Sequence, residues 1–320
     1  MRLALIGFGH VGRAFARLLE KQRSVYPFRI VGIHTARHGT ALHPRGLPVD
    51  PAFGPAAASG EEFLDRAPSE VVVEITPLNP STGEPALSHI RAAFGRGRHV
   101  ITANKGPIAH AYAALREEAR AAGVEFRFEA TVMDGAPIFN MVRNTLPGLK
   151  IHGFTGVLNS TTKVVIAAMR EGRSMAEGIA EAQNMGIAEA DASFDVDGWD
   201  SAAKTAVLAN VLMDAGITPL DVERHGIAGV TTERVLELKA QRKTICLVSR
   251  GEIQDGRIRL RVRAEDLDEN DLLAAIEGTS NLILLHTDLM GIVGTVSISP
   301  RVEQTAYGLF SDLVDIAKSI

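Results

Sequence analysis

Apolar and polar positions alternate along the chain in blocks that switch between two periods, and the switching predicts the architecture. Residues 2–6 are apolar and β-prone, and after Gly7-Phe8-Gly9-His10-Val11-Gly12 the apolar positions Val11, Ala14, Phe15, Leu18 and Leu19 trace one face of a helix. Apolar runs over 29–34 and 71–75 follow, the second closed by Thr76-Pro77. The pattern then predicts a helix over 84–94, a strand over 99–103, a helix over 108–122 and a strand over 124–130. Such alternation implies a parallel sheet with crossover helices. Beyond Thr131 the texture changes: a helix over 136–144 stops at Pro147-Gly148, a strand over 150–158 follows, and helices are expected over 174–185 and 199–213. Strands over 257–262, 281–287 and 292–298 would build a second sheet, and an amphipathic segment over 302–319 closes the pattern. The two textures divide the chain at 130/131, with the closing helix over 301–320 returning to the first domain.

Length and composition agree with two globular domains: 320 residues, 46% hydrophobic and 22% charged. A net charge of −4 gives no footprint for nucleic acid or an anionic membrane, and no apolar run is long enough to span a bilayer. The only cysteine, Cys246, excludes an intramolecular disulfide, a cysteine zinc site and CxxC redox chemistry, and sits in an apolar run that reads as core. The apolar stretch from Leu3 to Ile6 breaks at Gly7, too short for a signal peptide, so a cytoplasmic setting is expected.

The glycine-rich segment lies between a predicted strand and a predicted helix, the context a dinucleotide-binding loop requires. Gly7 would allow the tight turn, Gly9 the close approach of backbone to pyrophosphate and Gly12 the packing of helix on strand, with His10 and Val11 completing the loop. An acidic residue that would accept from a ribose 2′-hydroxyl is missing, since none occurs between Glu20 and Asp50. In its place stands His34-Thr35-Ala36-Arg37-His38, where Arg37, helped by Thr35, suits a 2′-phosphate, so NADP(H) is expected in preference to NAD(H). The plainer reading of Arg37 is a solvated loop arginine. Thr76, Asn104 and Lys105 sit at the strand ends where open α/β sheets bind ligands and are assigned to the cofactor as well.

Lysines are scarce beside arginines, which draws attention to Lys105 at such an edge, where an ammonium could donate to a developing alkoxide. A second cluster places Glu189, Asp191, Asp195, Asp197 and Asp200 ahead of Lys204, with Asp200 and Lys204 spaced i, i+4 on an expected helix. Three readings stand: carboxylates that grip a substrate ammonium beside a reactive lysine, a solvated acidic loop with one surface ion pair, or an oxygen-ligand site for Mg2+ or Ca2+ that lacks the EF-hand spacing.

Gly7-Phe-Gly-His-Val-Gly12, Thr102-Ala-Asn-Lys105-Gly-Pro107, Glu129-Ala-Thr131, Gly156-Val-Leu-Asn-Ser-Thr-Thr162, Gly186-Ile-Ala-Glu-Ala-Asp191 and Asp195-Val-Asp-Gly-Trp-Asp200-Ser-Ala-Ala-Lys204 together resemble the homoserine dehydrogenases, in that family's order and across the chain. The resemblance implies a Rossmann dinucleotide-binding domain over 1–130 and an α+β substrate-binding and dimerisation domain over 131–300, hence a homodimer. It implies reversible NAD(P)H-dependent reduction of L-aspartate 4-semialdehyde to L-homoserine, in threonine, methionine and isoleucine biosynthesis. By position, Lys105 and Lys204 match the catalytic lysines, with Lys105 the first choice for general acid/base. Glu189, Asp195 and Asp200 match the acidic residues around the substrate, and Thr161 a substrate-contacting threonine. A monovalent cation, Na+, is implied on the backbone carbonyls of Glu129, Val132, Asp134 and Ala136. The length matches forms without a C-terminal ACT regulatory domain. Departures from the family pattern fall at Met133-Asp134, Ser160, Lys163-Val164, Ile187 and 297–301. They motivate two alternatives: a sister dehydrogenase for another small hydroxy or semialdehyde acid, and a cofactor-binding sensor without catalysis.

Overall fold

A computed structural model describes Met1–Ser319 in two compact units, residues 1–145 with 301–319 and residues 146–300. The first unit carries strands β1 (Arg2–Ile6), β2 (Arg29–Thr35), β3 (Gly39–Leu42), β4 (Val71–Glu74), β5 (His99–Thr102) and β6 (Phe126–Arg127). Its helices are α1 (His10–Lys21), α2 (Gly60–Arg66), α3 (Ala86–Phe94), α4 (Lys105–Ala121) and α5 (Phe139–Thr145). The sheet order is β3-β2-β1-β4-β5-β6, parallel except for β3. The central strands are unbroken apolar runs because helices cover both faces; Leu3, Leu5, Val71 and Val73 are fully buried.

Departures from the pattern-based reading include a hairpin and a shortened strand. After β2 the chain makes a hairpin into β3 before any helix forms: Gly39 turns at φ +94°, and the Thr35 hydroxyl accepts from His38 N at 2.8 Å. The strand expected over 124–130 shrinks to Phe126–Arg127, because Glu129–Thr131 winds into a 3-10 turn. There the Glu129 carboxylate turns inward to accept from the backbone N–H of Ile138 (2.6 Å), Phe139 (3.0 Å) and Asn140 at the start of α5. The first unit consequently runs to Thr145, with 131–145 inside it.

The second unit contains β7 (Ile151–Val157), α6 (Ser160–Arg170), α7 (Met175–Asn184), α8 (Ser193–Val196), α9 (Trp199–Met213), β8 (Glu223–His225), α10 (Thr232–Ala240), β9 (Lys243–Gln254), β10 (Arg257–Asp268), β11 (Asn281–Thr287) and β12 (Gly291–Ser297). Its sheet runs β12-β11-β7-β9-β10-β8, with only the β8–β10 pair parallel. β9 and β10 form one long hairpin whose turn, Asp255-Gly256, has positive φ at both residues, 51° and 72°. Cys246 on β9 is buried, as its apolar run suggested, and burial pushes its thiol up to about 11.

Helix α11 (Val302–Ser319) belongs to the first unit and packs along α1; Ile320, the last residue of the helix expected over 301–320, lies outside the described residues. Leu309, Leu313 and Ile316 join Leu3, Leu5, Phe15 and Leu19 in one core cluster. Gly308 of α11 lies so close to Gly135 that a Cβ on it would stand 2.6 Å from the Gly135 Cα. Among the described residues no helix is long and apolar enough to cross a membrane.

Candidate active site

The glycine loop sits where strand order reverses, with β2 on one side of β1 and β4 on the other. Gly7 N donates to His34 O at 2.8 Å, and a Cβ on Gly7 would meet Ile75 O at 2.5 Å in a backbone with φ +102°. A Cβ on Gly12 would press on Ile75 Cδ1 at 3.0 Å and Phe8 Cδ2 at 3.1 Å, so this glycine lets α1 approach β4. Gly9 differs: nothing lies within 4 Å of its Cβ direction. It is the N-cap of α1, no side chain caps that helix, and Gly9 and His10 are exposed with Val11 half-buried. The first amides of α1 are therefore presented to a ligand.

Arg37 projects from the β2–β3 turn and is exposed, whereas Thr35 is buried and its hydroxyl is engaged inside the turn, donating to Gly39 O at 3.4 Å. Across the switch point, Asn104 caps α4 by accepting from Gly106 N at 3.0 Å, so the helix starts at Lys105 and not at the expected Ile108. Its amide donates to Thr76 O at 3.2 Å and Pro77 O at 3.4 Å, which ties the loop after β4 to the half-buried Lys105. The Thr76 hydroxyl donates to the fully buried carboxylate of Glu74, which Thr102 Oγ1 also meets at 3.3 Å. Sequence reasoning did not single out Glu74; its signal was one carboxylate inside the apolar run 71–75.

In the second unit the acidic cluster folds inward. Lys204 Nζ lies 2.9 Å from Asp200 Oδ2 and donates to Leu158 O at 2.7 Å. Asn159 Nδ2 donates to Asp195 Oδ1 at 2.6 Å and Asp200 Oδ2 at 3.0 Å, and Thr161 Oγ1 donates to Asp195 Oδ2 at 2.9 Å. The side chains of Lys204 and Asp200 are only 15% and 13% exposed, which rules out a surface ion pair. Burial, then the neighbouring Asp200, push the Asp195 carboxyl above the usual range. Gly198, with φ +82°, makes the corner that brings α8 and α9 together, and Trp199 packs under the Arg224 guanidinium 3.8 Å from the ring centre. Thr161, Asp195, Asp200 and Lys204 are thus brought together. Glu189 is not: it stays exposed on the loop after α7, where its carbonyl accepts from Gln183 Nε2. Among the described residues no group of three or more His, Cys, Asp or Glu is placed so that it could hold a metal ion.

Three of the departures from the family pattern, Ser160, Lys163 and Ser299, converge in a way sequence could not reveal. Ser160 Oγ donates to Thr279 O at 3.0 Å, the buried Lys163 donates to Ser280 O and to Asn281 Oδ1 at 3.2 Å, and Ser299 N donates to Ser280 Oγ at 3.1 Å. All three fasten the turn over 279–281. Met133 is fully buried and Val164 nearly so, while Ile187 is half-buried.

In the segment implied for Na+, Asp134 and Gly135 adopt φ of 53° and 88° and curl the chain through 132–136. Asp312 of α11 accepts from Glu129 N at 2.8 Å and from Asn140 Nδ2 at 3.0 Å. Complete burial and the Glu129 charge push Asp312 up to about 7. Its only signal in the sequence was a carboxylate on the apolar face of α11.

Comparisons with known proteins converge. Family models match at residues 7–129 (homoserine dehydrogenase, NAD binding domain) and 137–314 (homoserine dehydrogenase). An NAD(+)-dependent homoserine dehydrogenase of Pseudomonas canavaninivorans is 34% identical over 341 residues, covering 99% of this chain and 96% of its own. A homoserine dehydrogenase of Methanocaldococcus jannaschii is 34% identical over 339 residues, covering 100% and 99%. The crystal structure of a putative homoserine dehydrogenase from Archaeoglobus fulgidus superposes with a TM-score of 0.88 at 27% identity, over 99% of both chains. The chain belongs to the homoserine dehydrogenase family, NAD(P)-dependent oxidoreductases acting on a CH–OH group.

Proposed function

We propose that the family's hydride transfer, between L-homoserine and L-aspartate 4-semialdehyde, runs here with NADP(H) in preference to NAD(H). The observation that carries the substrate assignment is the buried cluster of Asn159, Thr161, Asp195, Asp200 and Lys204. Two carboxylates bridged by the neutral Asn159 amide, one of them also bound by the Thr161 hydroxyl and the other paired with Lys204, suit an amino-acid ammonium. Ser160 and Lys163 are engaged with the 279–281 turn, which favours homoserine over a sister substrate. The nicotinamide supplies the hydride acceptor in the oxidation direction. Lys105 takes the hydroxyl proton as the carbonyl forms and returns it in reduction, with Lys204 holding the substrate's polar groups in place. Glu189, exposed on its loop, is kept as an outer substrate contact.

The phosphates are assigned to Gly7, Gly9, His10, Val11 and Gly12, with Thr76 and Asn104 shaping the neighbouring edge. Arg37, exposed at the end of β2 in a stretch without an acidic residue between Glu20 and Asp50, is assigned to the 2′-phosphate, and Thr35 supports its turn. The Pseudomonas relative is named as NAD(+)-dependent, so cofactor choice is tested at Arg37. Arg37→Ala is expected to lower kcat/KM for NADPH by ~10–100-fold, the value of a charge-assisted contact, while NADH use holds. Unchanged NADPH use by the variant would refute it.

The backbone carbonyls of Glu129, Val132, Asp134 and Ala136 are assigned to Na+, because hard oxygen donors on a curled loop suit such an ion. Replacing Na+ by a bulky organic cation at constant ionic strength should lower the rate; an indifferent rate removes this part. A cytoplasmic homodimer completes the reading. The exposed Ile292 and Val296 of β12, with Ile298 beside them, support pairing through this sheet, and light scattering should return a mass near twice 34.2 kDa.

A further inference from the structure

We propose that Asn159 is the positioning residue of the substrate site, its one amide holding Asp195 and Asp200 in the arrangement that grips the substrate ammonium; this rests on the functional reading above. Asn159 is 3% exposed, and its orientation is settled by the backbone. Its Oδ1 accepts from Thr162 N at 2.9 Å as the N-cap of α6, so its Nδ2 faces the carboxylates, 2.6 Å from Asp195 Oδ1 and 3.0 Å from Asp200 Oδ2.

Two carboxylates this close repel, and burial adds to the cost of ionising both. The groups that face Asp195 come from each neighbouring element: Asn159 at the N-cap of α6, Thr161 on α6, and Asp200 and Lys204 on α9. Asp200 and burial favour the protonated acid, while Asn159, Thr161 and Lys204 favour the carboxylate. The asparagine is the one group among them that touches both acids as a donor and carries no charge of its own, so it separates them without competing for the substrate's ammonium.

Capping and bridging are separable by substitution. Serine caps a helix as well as asparagine does, but is too short to donate to both carboxylates. Aspartate keeps the cap and the shape and replaces the donor by a third negative charge. The experiment measures kcat, the two KM values, the pH profile of kcat/KM and the melting temperature for wild type, Asn159→Ser and Asn159→Asp in the full chain, with homoserine and NADP.

For Asn159→Ser the expected result is a melting temperature near wild type, a KM for homoserine raised about tenfold or more by loss of a charge-assisted contact, and an unchanged KM for NADP. The acidic limb of kcat/KM should move to higher pH, because Asp195 loses a donor to its ionised form. Asn159→Asp should lose more activity than Asn159→Ser. A serine variant with wild-type KM for homoserine and a wild-type pH profile would overturn the inference, leaving Asn159 a helix cap. So would a parallel loss of stability and of both KM values. Failure of the wild-type chain itself to turn over homoserine would instead remove the functional reading, and the inference with it.

Discussion

Lys204→Ala is expected to lower kcat for homoserine oxidation by ~10²–10⁴-fold, the range for loss of a positioned proton-handling or charge-stabilising group. The argument is geometric. The ammonium is held on one side by Asp200 at 2.9 Å and on another by the Leu158 carbonyl at 2.7 Å, in a site where its side chain is mostly shielded from water. A charge fixed in that way needs no reorganisation as the reaction proceeds. Lys204→Arg keeps the charge but replaces a compact ammonium by a planar fork that cannot fit the same two oxygens, so rescue should be poor. Dinucleotide affinity, measured by fluorescence titration, should hold in both variants because the glycine loop lies in the other unit. A Lys204→Ala enzyme with wild-type kcat would remove Lys204 from the reaction, whereas a wild-type chain with no rate to lose would favour the reading as a sensor.

Gly7→Ala and Gly9→Ala should fail in opposite ways. At Gly7 the new methyl meets the Ile75 carbonyl at 2.5 Å, and φ of +102° is strained for any L side chain, so the cost falls on folding. Backbone strain alone is about 1–3 kcal/mol, and the clash with an unyielding strand end adds to it. The melting temperature should drop by several degrees or more. At Gly9 the methyl enters open space, so the fold should melt as wild type does, while dinucleotide binding should weaken under the proposed assignment, which brings the pyrophosphate into that space. A Gly9→Ala chain that bound NADP normally would sink the assigned phosphate position.

The sequence-readable part of this molecule is the part governed by local period and short-range chemistry. β1, β4 and β5 were predictable as short unbroken apolar runs bounded by turn residues, and α1 because its apolar side chains recur every 3.6 residues against a covered face. The β9–β10 hairpin was also predictable in principle: Asp255-Gly256 is the strongest short hairpin signal, but β9 reads as an apolar run on its own. What pattern could not give was pairing across distance. Glu129 abandons a strand for amides nine to eleven residues ahead, and Asp312 reaches Glu129 from α11. Within the site, Thr161, Asp195, Asp200 and Lys204 were legible by spacing and resemblance. Asn159 was not, since a lone asparagine before a helix announces a cap and gives no hint of the two acids its other end will meet. Ser160, Lys163 and Ser299 looked like changes in the pocket, and only their shared attachment to one turn recasts them as mutual supports.

Helix α11 has a consequence for the order in which the polypeptide matures. It fills the groove against α1, yet emerges from the ribosome after every other element described here. Until it arrives, the nascent nucleotide-binding half presents Leu3, Leu5, Phe15 and Leu19 without their covering residues Leu309, Leu313 and Ile316. Newly made chains therefore pass through a sticky interval during translation that closes only once α11 has been made, an interval in which chaperone capture competes with aggregation.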